Sequence, residues 1–181
     1  PYPRAGQRGV LQQDGSVRIE TDAGALVEAR EDARGAFGDL RHKLWWDRLD
    51  ILYFATYALW TYVCTPFVFA REGYHVRELD PWHENGEHWR RIAVRFPENV
   101  HTHSREQVFY LDPRGLIRRQ DYTAEPIGGW AKAAHYCFDH QSFDGLIVPT
   151  RRRVYPRRRD GRRRARPLLV WISASHATLR G

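Results

Sequence analysis

Ser104-Arg-Glu-Gln-Val-Phe-Tyr-Leu111, Asp112-Pro-Arg-Gly115 and Leu116-Ile-Arg-Arg-Gln-Asp-Tyr-Thr-Ala-Glu125 decide the fold. Two runs with β-branched and aromatic residues flank a Pro/Gly turn, the pattern of an antiparallel hairpin. Three runs of the same kind follow: Ala133–His140, Leu146–Tyr155 and Leu168–Ser173. Pro126-Ile-Gly-Gly129, Asp144-Gly145 and Pro156–Pro167 break them apart. Where an ordinary β-protein would place Val and Leu, these runs carry Glu106, Asp121, Tyr122, Glu125, His135 and Tyr136. A sheet with such residues on a concave face would line a pocket.

Toward the N-terminus, Gln7–Gln12 and Ser16–Glu20 flank Gln13-Asp14-Gly15, and Ala25–Glu31 follows, so the chain opens as a β-meander. Residues 32–47 read as short helical turns. Ile51–Ala70 is twenty residues without a charge, long enough to cross a bilayer. Pro66 argues against a span, because the residue before a proline resists helix and the helix should stop near Cys64. The better reading is a core helix over Asp47–Val63, apolar nearly all round and in need of walls on most sides. Beyond it, Phe67–Phe69 and Tyr74–Leu79 read as short strands, Trp82–His88 as a polar loop, and Glu87–Phe96 as an alternating strand.

The composition excludes several classes. At 181 residues, 42% of them hydrophobic, the chain can bury a core without disulfide staples, and 1–181 reads as one domain. Cys64 and Cys137 make no disulfide framework and are expected as free thiols. The net charge of +7 suggests nucleic acid, but Arg151–Arg166 alone holds ten arginines and one acid. That segment contributes +9 and leaves the rest of the chain at −2. The like charges should repel and keep the loop tip solvated and mobile, and only Tyr155 is there for base stacking. Nucleic acid or an anionic surface is therefore the third-ranked partner. The chain starts at Pro1 and contains no methionine, so it is expected to lack its N-terminal segment. No signal peptide is visible, which favours a cytoplasmic location. The oligomeric state is open.

Three constellations could carry chemistry. Asp121, Thr123 and Glu125 share one strand face, and His135-Tyr136 lies on the next expected strand. A carboxylate beside His135 would make an acid/base pair, with Tyr136 as a further polar group. The competing reading is a hydrogen-bond network that holds the sheet together. His101 and His103 point to one side of an extended segment with Glu106 close by, a weak metal candidate; no metal and no cofactor are expected. His83-Glu-Asn-Gly-Glu-His88 is not a zinc-protease helix, because Asn-Gly breaks it. No nucleophile elbow and no phosphate-binding glycine loop is present.

Phe143-Asp-Gly-Leu-Ile-Val-Pro-Thr-Arg151 resembles a strand near the end of the bacterial outer-membrane lipoprotein carriers, the LolA-like superfamily, and Phe109-Tyr-Leu-Asp-Pro-Arg-Gly-Leu-Ile117 is similar to the hairpin that precedes it there. The resemblance covers about residues 89–173, and it extends to uncharacterised bacterial proteins of the same architecture. It implies an α+β fold: a strongly curved antiparallel half-barrel wrapped around a buried apolar helix, with a cavity for an apolar guest. The arginine loop, the aromatic helix and the polar strand residues depart from the carriers and put lipoprotein transport itself in doubt. The expected activity is binding of a hydrophobic or aromatic small molecule, lipid- or polyketide-like. Tyr53, Tyr57, Trp60, Phe109 and Tyr122 would be apolar walls, and Asp121, Glu125, His135 and Tyr136 would orient its polar end. The alternative is a cyclase, isomerase or hydrolase that uses His135 with a carboxylate in the same cavity.

Overall fold

A computed structural model describes residues 1–175. The fold is α+β, mostly antiparallel sheet with few helices. The chain divides into two compact units: Pro1–Thr65 with Glu98–His103, and Pro66–Pro97 with Ser104 onward.

The first unit holds the meander β1 (Gln7–Leu11), β2 (Val17–Thr21) and β3 (Leu26–Arg30), the short helix α1 (Leu40–Leu44), and α2 (Arg48–Cys64). Helix α2 begins where the sequence carries a capping box. The Asp47 side chain accepts from the N–H groups of Leu49 and Asp50, and the Asp50 carboxylate accepts from the Asp47 N–H. It ends at Cys64, ahead of Thr65-Pro66. Its stripe Leu49, Tyr53, Tyr57 and Thr61 is buried at helical spacing, and the helix packs on β1 and β2. The expectation of burial nearly all round is corrected, because Ile51, Leu59 and Val63 are exposed and Trp60 is 37% exposed. No helix among the described residues is long and apolar enough to cross a membrane.

The second unit is one open seven-stranded antiparallel sheet. Its strands are β4 (His75–Glu84), β5 (Glu87–Arg95), β6 (Glu106–Leu111), β7 (Ile117–Thr123), β8 (Lys132–Phe143), β9 (Leu146–Pro156) and β10 (Val170–Ser173), each paired with its sequence neighbour. Strands β4 and β10 are its edges. Two expectations are overturned here. Phe67–Ala70 is a 3-10 turn, not a strand. Trp82–His88 is not a loop but the tip of a hairpin, with Trp82 opposite Trp89 and His83 opposite His88. Asn85 (φ 52°) and Gly86 (φ 79°) supply the two left-handed residues that a tight hairpin needs. The ladder skips Asp80-Pro81, where proline on an edge strand removes no needed donor.

Register sorts the side chains onto two faces, since cross-strand partners point the same way. Arg119 faces Tyr110 and Tyr136, while Asp121 faces Val108 and Ala134. His135 pairs with Gln120, one residue out of phase, and so lies on the opposite face from Asp121.

Candidate functional site

The polar residues of the strand run condense around Arg119, which is 0% exposed. Its guanidinium grips Asp121 with two prongs, Nε to Oδ1 at 2.7 Å and Nη2 to Oδ2 at 2.9 Å. It also donates to Glu84 Oε2 at 2.9 Å and to the Tyr136 hydroxyl at 3.2 Å. The carboxylates are further supplied by Tyr110 to Asp121 (2.9 Å), Tyr136 to Glu84 (2.6 Å) and the Trp82 indole to Glu84 (2.8 Å). Arg157 reaches Asp121 at 3.5 Å. Two acids thus face two guanidinium groups, and the charges balance. The rings of Trp82, Tyr110 and Tyr136 lie 5.5, 4.7 and 5.3 Å from the Arg119 guanidinium carbon.

The arginine-rich segment caps this network. Residues 156–164 fold into a small hairpin, with Arg158 N–H bonded to the Arg162 carbonyl and Arg157 bridged to Arg163, and its tip is solvent-exposed as expected. The Gly161 carbonyl accepts from Arg119 Nη2. Like charges are tolerated because Arg157 reaches Asp121, while the exposed Arg163 stacks over the Tyr155 ring at 4.6 Å. Arg158, Arg159, Arg162, Arg163, Arg164 and Arg166 remain exposed.

Proton chemistry is poorly served here. Burial, with the Asp121 charge nearby, pushes the Tyr110 phenol up to about 12. Burial also raises Tyr136, against the pull of Arg119. Glu84 feels burial most, but hydrogen bonds from Tyr136 and Trp82 and the Arg119 charge more than offset it, and its pKa falls. Burial raises the Asp121 carboxyl against the pull of Arg119. Near neutral pH the phenols keep their protons and Glu84 stays a carboxylate.

Beside the network lies a cleft of about 270 Å³. Trp89, Tyr136, Phe138 and Tyr155 line it together with Arg153 and Arg163. Glu87 also lines it, but that carboxylate accepts from the Trp89 indole at 2.8 Å and lies 3.7 Å from Arg118.

Asp121 and Tyr136 meet in the Arg119 network. His135 is fully buried on the other face, its ring 6.1 Å from that of Tyr122. Glu125 sits exposed in the turn after β7. The His135–Asp121 acid/base pair is therefore not assembled, because β-strand alternation separates them. Phe109 and Tyr122 are buried in the second unit. Tyr53 and Tyr57 are buried in the first and are hydrogen-bonded to histidines: Tyr53 to His101 Nδ1 at 2.8 Å and Tyr57 to His103 Nδ1 at 3.1 Å. None of Tyr53, Tyr57, Trp60, Phe109 and Tyr122 is among the described residues lining the cleft. The metal candidates are otherwise engaged. His103 meets tyrosine hydroxyls at both ring nitrogens, the second being Tyr62 at 2.8 Å. Glu106 is an exposed residue 3.5 Å from Arg95. Sequence reading missed Arg119 and Glu84; the visible signal was an arginine two residues before an acid in a strand otherwise built for burial.

No protein-family model matches the chain, and no curated protein matches it. A crystal structure of a DUF1329 family protein from Desulfovibrio piger is similar at 14% identity and a TM-score of 0.46, over 86% of this chain and 60% of that one. The chain thus spans about 60% of the length of that structure.

Proposed function

We propose that the chain binds a small hydrophobic or aromatic molecule in the cleft beside Arg119. The observation that carries this reading is the wall of four rings, Trp89, Tyr136, Phe138 and Tyr155, around about 270 Å³ of space. Large rings usually fill cores; here they border an opening. The wall is held still. Tyr136 is pinned by Glu84 and Arg119, and the Trp89 indole by Glu87, so its shape precedes the guest. Drug-sized pockets run from roughly 300 Å³ upward, so the volume favours a compact ring system over a full-length acyl chain. The resemblance to lipoprotein carriers agrees with a sheet that offers one face to an apolar guest. Binding is favoured over catalysis, because Glu87 is engaged by Trp89 and Arg118 and burial raises the Tyr136 phenol and the Cys137 thiol.

The test is a thermal-shift and tryptophan-fluorescence panel of neutral bicyclic aromatics and fatty alcohols on the intact chain. Bicyclic aromatics should raise the melting temperature and quench fluorescence, and Trp89→Phe should lose most of the quench. No shift with any apolar compound would end the reading.

A further inference from the structure

We infer that the guest is an anion, an aromatic carboxylate whose ring lies on the cleft wall and whose head group sits between Arg153 and Arg163. The inference rests on the proposed binding cleft and adds the charge of its occupant.

Arg119 and Arg157 share Asp121, Arg118 approaches Glu87 at 3.7 Å, and Arg151 pairs with Asp139 at 3.0 Å. Arg153 and Arg163 differ. Neither has a carboxylate within 4.0 Å among the described residues, and both line the cleft. Register places Arg153 there, since it pairs with Tyr136 across β8 and β9 and so shares the face of Arg119. Its Nε is buried without a hydrogen-bond partner. Its guanidinium carbon lies 5.3 Å from the Trp171 ring centroid, and that of Arg163 lies 4.6 Å from Tyr155. A ring face attracts a cation but accepts no hydrogen bond in the guanidinium plane. Both forks therefore keep donors that a planar oxyanion can take in two-pronged fashion. Covering a cation without such an acceptor is unfavourable, so an anionic guest gains where a neutral one loses. The aromatic wall then sets the rest of the ligand: a flat ring directly attached to the carboxylate.

The experiment compares 2-naphthoate with 2-naphthamide by isothermal titration on the intact chain, in low and high salt, and repeats both with Arg153→Gln/Arg163→Gln. The inference expects naphthoate to bind at least about tenfold tighter than the amide, with an advantage that shrinks in salt. In the double variant the ratio of naphthoate to amide affinity should fall to about one, and circular dichroism checks that the sheet is intact. Equal binding of the two compounds to the native chain overturns the anion inference and leaves the cleft standing. No binding of either compound overturns the cleft and the inference with it. A naphthoate preference that survives in the double variant also overturns the inference, because the carboxylate is then held elsewhere.

Discussion

Arg119 and Asp121 stand two residues apart on one strand and close a two-pronged ion pair on the same face of the sheet, at 2.7 and 2.9 Å. Strand alternation makes this possible: residues i and i+2 share a face, about 7 Å apart along the backbone. A long guanidinium arm beside a short carboxylate spans that gap. The pair is the hub onto which Glu84, Tyr110, Tyr136 and the Gly161 carbonyl attach.

Removing the hub cation should be severe. Arg119→Leu leaves Asp121 and much of Glu84 as covered carboxylates without their main cation, a change of about 3–5 kcal/mol. Urea denaturation should read it. Arg119→Leu/Asp121→Leu should recover part of the loss, because the uncompensated charge goes with its partner. A single-variant loss under about 1 kcal/mol would show that the network does not hold the sheet.

The arginine hairpin should open when its contact point is blocked. Gly161 has φ of +82°, and a Cβ there would come within 3.2 Å of the Trp82 ring. Gly161→Ala should cost about 1–2 kcal/mol from the backbone alone. Limited trypsin digestion should then cut the 158–164 arginines faster than in the native chain. Unchanged cleavage would mean that the docked hairpin is not what protects these bonds.

Much of the sheet was legible because its signals were local. Asp112-Pro-Arg-Gly115 and Asp144-Gly145 sit at strand ends as read, and the helix expected over Asp47–Val63 is α2, Arg48–Cys64 with Asp47 as its cap. Asn85-Gly86 marks an exposed turn in the sequence, but polar composition hides that Trp82, His83 and Glu84 pair across it with Trp89, His88 and Glu87. The site was harder, because faces depend on register. Asp121 and His135 seemed partners from strand adjacency alone, and a one-residue offset places them on opposite sides. Arg119 could not be chosen over Arg118 without knowing which of the two faces Tyr136.

Acid should weaken the first unit through His103. Burial, helped by the Arg34 charge, lowers its pKa from 6.5 to about 3. The folded form therefore binds fewer protons than the unfolded chain between those values, and stability falls as pH drops through that window. At pH 5 the loss from this group is about 2 kcal/mol. Denaturant titrations at pH 7 and 5 should show it, and His103→Gln should flatten the difference. His101 and His140, also lowered by burial, act in the same direction and leave a smaller residual slope.

The N-terminus of α2 invites a metal reading that Arg30 should defeat. His42, Asp47 and Asp50 bring ligand atoms within 4.8 Å of one another. Arg30 already bonds Asp47 Oδ2 and Asp50 Oδ1, each at 2.6 Å, and the His42 ring meets Asp50 Oδ2 at 2.6 Å. A divalent ion would have to displace that guanidinium and pull carboxylates away from the capped helix N–H groups. Zinc should therefore leave the melting temperature unchanged. Asp50→Ala, which strips the buried acceptor from Arg30, His42 and the Asp47 N–H, should cost about 3 kcal/mol. A clear rise in melting temperature with zinc, abolished by His42→Ala, would show that the cluster is a metal site and that the arginine yields to the ion.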